Sequence, residues 1–185
     1  WYMTQQPFRW GIIGPGRIAE EFGRGLTAVS DAILYGVASR NKDRAQEFAA
    51  KFNGQKIYTD YETMVNDPNI DGIYIATPHR FHFEQALLCL EAGKPVLCEK
   101  PLTVNAAETE ALIAKANEKN VFLMEALWTR CLPIYDQVRE WLDAGVIGDV
   151  KLMVSTFGFV VPNDPEDRWF NQELAGGTLL DMGVY

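Results

Sequence analysis

Histidine and cysteine are scarce in this sequence, at two and three residues among 185. Cys89, Cys98 and Cys131 are odd in number, widely spaced and set in apolar segments. They read as core thiols in a reducing compartment rather than a disulfide framework. With only His79 and His82 to complete a set, no zinc-ligand spacing exists and no metal is expected. Positive charge is also in deficit: 17 Lys and Arg stand against 25 Asp and Glu, a net charge of −8. A chain without a basic face has little hold on nucleic acid or an anionic membrane, so neither is expected as a partner. A small anionic ligand stays open, because local amides and one or two Arg hold phosphates against the global charge. No apolar run approaches the roughly 18 residues of a membrane span. Trp1-Tyr2-Met3 lacks a basic or apolar leader region, which makes Met3 a candidate start and a cytoplasmic location the default.

What the chain does have is hydrophobic residues, at 48%, enough to bury a core. Their spacing alternates between two periods. Phe8 to Gly14 is a short apolar run closing on glycine, the pattern of a buried strand. Arg17 to Val29 then carries Ile18, Phe22, Leu26 and Val29 on one helical face. Ala32 to Ser39 is strand-like, and Asn41 caps a helix from Lys42 to Phe52. A short strand at Ile57 and Tyr58 and a short helix at Tyr61 to Val65 follow. Asp71 to Thr77 is a fourth strand, and Phe81 to Ala92 a helix with Phe83, Leu87 and Leu90 inward. Pro95 to Glu99 is a fifth strand. Asn105 and Glu108 open the next helix with a capping-box spacing. Val121 to Trp128 is a sixth strand, and Pro133 starts a helix that Gly145 ends.

Six alternations of strand and helix predict a doubly wound, Rossmann-type α/β domain with a parallel sheet, over residues 1–130. Beyond it the rhythm changes. Val150 to Val161 reads as one long strand, and Gly176-Gly177 opens a helix. One strand and one helical turn bury no sheet face, so 131–185 reads as the truncated start of a second, α+β open-sheet domain.

Gly14-Pro15-Gly16-Arg17-Ile18-Ala19 follows a strand and opens a helix. That is the context in which a GxGxxA run binds a dinucleotide. Gly14 permits the tight turn, Gly16 lets a pyrophosphate approach the backbone, and Ala19 lets helix pack on strand. Arg17 and Ile18 lie in the helix's first turn, whose free N–H groups suit phosphate. A glycine turn without ligand is the plain alternative. Which dinucleotide binds is decided at the tip of the second strand. An NAD enzyme places an acid there for the ribose 2′-OH. Here the tip is Ser39-Arg40, with Arg44 one turn on, a set suited to a 2′-phosphate. NADP is expected, with NAD left open.

Ligands in such sheets sit past the carboxyl ends of the strands. The fourth strand ends in Thr77-Pro78, extended because of the proline and able to pass alongside a flat ring. His82, in the next helix's first turn, is expected to face the cofactor. The fifth ends in Glu99-Lys100-Pro101, a charged pair at a buried strand's tip. Beside a nicotinamide, Lys100 can donate to a substrate oxygen and lower the pKa of a neighbour. A Glu–Lys surface pair is the alternative. The Lys100-Pro101 bond is open to either isomer. In the last segment Asp181 and Tyr185, four apart, share a face if helical. Asp181 can then bind a substrate hydroxyl, and Tyr185, if near Lys100, can exchange a proton with an alkoxide.

Gly14-Pro15-Gly16, Ala76-Thr77-Pro78, Glu99-Lys100-Pro101 and Gly176-Gly177 through Asp181 to Tyr185, in this order, resemble the Gfo/Idh/MocA oxidoreductases along the whole chain. Met124 to Arg130 and Leu179 to Tyr185 resemble the branch that holds dihydrodiol and NADP-dependent D-xylose dehydrogenases. The resemblance implies a Rossmann domain followed by an open, mostly antiparallel sheet domain through which a homodimer forms. It implies Lys100 as a catalytic residue, Tyr185 as proton donor and Arg40 against the adenine end. It also places Trp128, Arg130, Arg168 and Trp169 near the substrate pocket. Members of the family are nearly twice this long. The expected activity is hydride transfer between NADP and a sugar or vicinal-diol carbon. Two alternatives stand beside it: an NADP-binding regulatory module without chemistry, and an oxidoreductase that keeps one tightly bound cofactor and recycles it between substrates.

Overall fold

The computed structural model describes residues 6–167 and 169–185. Six parallel strands lie at its centre: β1 (Phe8–Ile13), β2 (Ala32–Ala38), β3 (Lys56–Tyr58), β4 (Gly72–Ile75), β5 (Val96–Glu99) and β6 (Leu123–Ala126). They pair in the order β3-β2-β1-β4-β5-β6. That order reverses direction between β1 and β4, which leaves a crevice at their carboxyl ends. The helices α1 (Arg17–Thr27), α2 (Lys42–Lys51), α3 (Tyr61–Val65), α4 (His82–Glu91) and α5 (Ala106–Lys119) cross between strands.

The period of two along each strand sorts its residues between two cores. On β1, Ile12 packs with Ala19 of α1 and Phe48 of α2, while Ile13 packs with Ala86 and Leu90 of α4 and Leu112 of α5. On β4, Tyr74 joins the first group and Ile73 and Ile75 the second. Every one of these is buried, and truncating one of the isoleucines to alanine removes about 2–5 kcal/mol.

The helices start where polar side chains can cap them. Asn41 accepts from the Arg44 N–H at the head of α2, and Asp60 from the Thr63 N–H at the head of α3. At α5 the Asn105 Oδ1 accepts from the Glu108 N–H, and the Asn105 amide donates back to the Glu108 carboxylate, each at 2.9 Å. The reciprocal bond thus closes through a side-chain amide, because asparagine brings its own donor. Asn120, at φ 52°, ends that helix.

Four expectations change. In α4 the innermost residues are His82, Gln85, Ala86, Cys89 and Leu90, with Phe83 and Leu87 half-buried at the flank. The sixth strand stops at Ala126, and Trp128–Cys131 forms a 3-10 turn. The 150–161 stretch is no strand: a ladder needs a neighbour, and no described segment pairs with it. Cys131, finally, is exposed on its turn. Cys89 and Cys98 are buried as expected, and burial pushes the Cys89 thiol up to about 12 and Cys98 well above its usual range.

Helix α6 (Pro133–Asp143) follows the turn, with proline in its first turn. The one-turn helix α7 (Thr178–Asp181) closes the chain's described elements. No helix among the described residues is long and apolar enough to cross a membrane.

Candidate active site

The crevice starts at Gly14. Its φ of +89° is one that side chains resist, and a Cβ would come within 2.7 Å of Thr77 Cγ2 and 3.0 Å of the Ala76 carbonyl carbon. Glycine therefore lets β1 end flush against the end of β4. Gly16 has the opposite surroundings: an added Cβ would meet nothing within 4 Å. Gly16 also caps α1 without a side-chain acceptor, so the first-turn N–H groups and the positive end of the helix dipole remain for an anion. Open space over a glycine and an uncapped helix start fit a pyrophosphate.

From this loop a cavity of about 890 Å³ runs along the sheet's carboxyl edge. One end is lined by Gly14, Gly16, Arg17, Ile18, Ser39, Arg40 and Arg44, so three guanidinium groups surround a strand tip that carries no acid. Ser39 Oγ accepts from the Asn41 N–H, which fixes the tip. The Arg40 guanidinium stands over the Phe81 ring, 5.5 Å from its centroid, a cation–π contact that holds it upright at the wall. Thr77 and Pro78 line the middle and Glu99, Lys100, Asp181, Tyr185 and Trp169 the far end.

At the far end the chemistry converges. The Lys100 ammonium donates to Asp181 Oδ1 at 2.8 Å and also to the Asp181 carbonyl oxygen. Both side chains are nearly enclosed, at 12% and 11% exposure, so this pair is shielded from solvent and fixes the lysine. The same ammonium lies 4.7 Å from the centre of the Tyr185 ring. Lys100 precedes a cis peptide bond to Pro101. The expected face shared by Asp181 and Tyr185 is not helical throughout: α7 ends at Asp181, and Tyr185 reaches the site through a turn in which its N–H donates to the Met182 carbonyl. Beside Lys100, the buried Glu99 carboxylate accepts from the Tyr74 phenol and, at 3.2 Å, from the Lys100 N–H. Burial, then the Glu99 charge, raises the Tyr74 pKa far above its ordinary value, so it stays a donor.

Three expected positions need correction. His82 does not face the cavity. It is fully buried, with Nδ1 and Nε2 each 2.8 Å from a carbonyl oxygen, those of Pro101 and Thr77. It packs between the end of β4 and the turn after Lys100, where the neutral ring donates its one N–H to one of the two carbonyls, because its place in the helix's first turn points it under the strand ends. Trp128 and Arg130, which the resemblance puts near the substrate pocket, are exposed on the 3-10 turn that follows β6 and are not among the residues lining the cavity. The Trp128 indole N–H instead donates to the Tyr185 phenol oxygen at 2.9 Å. Arg168 lies outside the described residues.

Other lining residues carried too little sequence signal. His79, at the start of the turn after β4, is nearly buried with Nε2 3.7 Å from Asp181 Oδ1. Phe157 and Phe159 form an aromatic wall, Phe157 against Tyr185 at 5.4 Å and Phe159 against Trp169 at 5.3 Å. They sit in the stretch read as a strand, where alternation alone does not say which face meets a ligand.

Comparison with known proteins agrees with this architecture. Residues 8–127 match the Gfo/Idh/MocA model, described as an oxidoreductase family with an NAD-binding Rossmann fold, and residues 135–185 match the Gfo/Idh/MocA C-terminal domain. The chain is 48% identical over 179 residues to a mouse trans-1,2-dihydrobenzene-1,2-diol dehydrogenase, covering 96% of this chain and 53% of the relative. It is 40% identical to a Hypocrea jecorina D-xylose 1-dehydrogenase (NADP(+)), covering 96% of this chain and 50% of that one. Among solved structures, the 3-ketoreductase KijD10 of Actinomadura kijaniata in complex with NADP and TDP-benzene superposes with a TM-score of 0.83 at 33% identity, over 97% of this chain and 55% of that one. The chain thus spans about half the length of these relatives. With its sheet order, glycine turn and Lys100–Asp181 pair in place, it belongs to the Gfo/Idh/MocA oxidoreductases.

Proposed function

We propose that this chain is the cofactor-binding domain, residues 1–130, and the start of the substrate domain, 131–185, of an NADP-dependent dehydrogenase acting on a sugar or vicinal diol. The observation that carries the reading is the meeting of Lys100, Asp181 and Tyr185 at one end of a cavity whose other end is a phosphate loop. Gly14, Gly16, Arg17 and Ile18 suit the pyrophosphate, and Ser39, Arg40 and Arg44 the 2′-phosphate. Thr77, Pro78 and Glu99 suit the ring at the Lys100 end. The nicotinamide, when bound, supplies or accepts a hydride. The chain's own groups handle the accompanying proton. Tyr185 exchanges it with the substrate oxygen, while the Lys100 ammonium stabilises the negative charge that oxygen develops. Asp181 holds Lys100 in place and takes a neighbouring substrate hydroxyl, which a sugar or a diol provides and a simple alcohol does not. Trp169, Phe157 and Phe159 supply apolar wall for the carbon skeleton.

The test separates binding from chemistry. Tryptophan fluorescence is titrated with NADP+, NAD+, 2′,5′-ADP and 5′-ADP, and nicotinamide absorbance is followed with a panel of sugars and diols. Tighter binding of both 2′-phosphorylated ligands is expected, and Lys100→Met should lower turnover by at least about 100-fold while leaving the NADP+ affinity within a few-fold. Unchanged turnover in Lys100→Met, or no preference for the 2′-phosphate, contradicts the assignment.

A further inference from the structure

The Trp128 side chain is half exposed, yet its indole N–H makes a well-formed bond to the phenol oxygen of Tyr185. An indole nitrogen only donates, so the phenol oxygen must accept, and its own proton is turned away from the indole. A second neighbour of that ring, the Lys100 ammonium, is also a donor without a lone pair. Both contacts therefore leave the Tyr185 hydroxyl proton for an acceptor in the cavity that Tyr185 lines. The two rings stand at 64° with centres 6.1 Å apart, which brings indole edge to phenol tip rather than stacking the faces.

We propose that Trp128 is a positioning residue for proton transfer: it holds the Tyr185 oxygen so that the O–H points at the substrate oxygen. This rests on the dehydrogenase reading. In the reductive direction the Tyr185 O–H bond breaks and a new O–H bond forms on the substrate oxygen as the substrate carbon gains hydride from the reduced nicotinamide. The bonding pair stays on the phenol oxygen, where the Trp128 N–H still donates and the bond strengthens as charge develops. Oxidation runs the same exchange backwards. The fold explains why the partner is this tryptophan. Strand β6 carries the chain to the carboxyl edge beside Lys100's strand, and the 3-10 turn that follows lifts the indole past that edge.

Two measurements test it. Trp128→Phe keeps an aromatic ring and removes the N–H; Trp128→His keeps a ring N–H. In Trp128→Phe, kcat is expected to fall about tenfold with the substrate KM within about twofold, and Trp128→His to recover part of the loss. A raised KM at unchanged kcat makes Trp128 a pocket wall and overturns the proposal, as do kinetics equal to wild type. The kinetics are run on a protein that carries the whole substrate domain, and absence of turnover in its wild type overturns the dehydrogenase reading instead. The hydrogen bond is checked apart from activity, in the indole region of a nitrogen–proton correlation spectrum. The resonance lost in Trp128→Phe is expected to move upfield in Tyr185→Phe. A resonance indifferent to Tyr185→Phe overturns the proposal whatever the kinetics show.

Discussion

At the scale of single residues, His82 shows how a side chain serves the site without touching a ligand. Burial lowers its pKa below the ordinary 6.5, against the weaker upward pull of the Pro101 and Thr77 carbonyls. The folded chain then binds the histidine proton less tightly than the unfolded chain does. Its contribution to stability is complete above pH 6.5 and is lost as pH falls below that value, with a slope of up to about 1.4 kcal/mol per pH unit. Urea unfolding of wild type and His82→Gln between about pH 8 and pH 5 checks this. The variant is expected to be less stable by about 1–3 kcal/mol at the alkaline end, where a buried carbonyl loses its partner, and to lose much of the acid slope. Equal slopes in the two proteins would contradict the assignment. Lys100 was legible in the sequence because a charge at the tip of a buried strand has no packing role. His82 was legible as important but not as buried, because the sequence does not say which way a residue in a helix's first turn faces. The Trp128–Tyr185 bond was not legible at all: its partners are 57 positions apart and only the fold brings them together.

At the scale of elements, the turn between β1 and α1 separates two kinds of glycine. Gly14 is required by its backbone angle and by the nearness of Thr77, so Gly14→Ala is expected to cost about 1–3 kcal/mol of stability as well as cofactor affinity. Gly16 has an ordinary φ of −105° and open space around it, so Gly16→Ala should leave the melting temperature nearly unchanged and still weaken NADP+ binding by about tenfold or more. Thermal unfolding and fluorescence titration of both variants check the contrast; a Gly16→Ala chain that binds like wild type moves the pyrophosphate elsewhere. The six strands of the sheet and the helices between them were readable because periods of two and 3.6 are imposed by the cores on either side of the sheet. The 150–161 stretch carries the same kind of alternation without a neighbour, so a pattern that specifies a strand specified none here. Pattern records the surface a segment is made to meet, and structure forms only when that surface is met.

At the scale of the whole molecule, the two regions differ in what they expose. The sheet domain buries its apolar residues in two cores, while α6 presents Ile134, Val138, Trp141 and Leu142 to solvent, and Leu152, Val154 and Val160 are at least 81% exposed. Exposed apolar surface of this kind binds hydrophobic dyes and drives association. The 185-residue chain is expected to enhance ANS fluorescence at neutral pH and to elute with a mass that rises with concentration, and Trp141→Glu with Val138→Glu to reduce both. A chain that stays monomeric and dark to the dye would mean that this face is covered from within.

The Lys100–Asp181 contact spans 81 positions, whereas the glycine turn needs only the first four strands of the sheet. During synthesis on the ribosome, the residues of the glycine turn and of its neighbouring strands therefore emerge well before the acidic partner of the lysine. On the dehydrogenase reading, the order of synthesis thus runs from the nucleotide end of the site to its catalytic end.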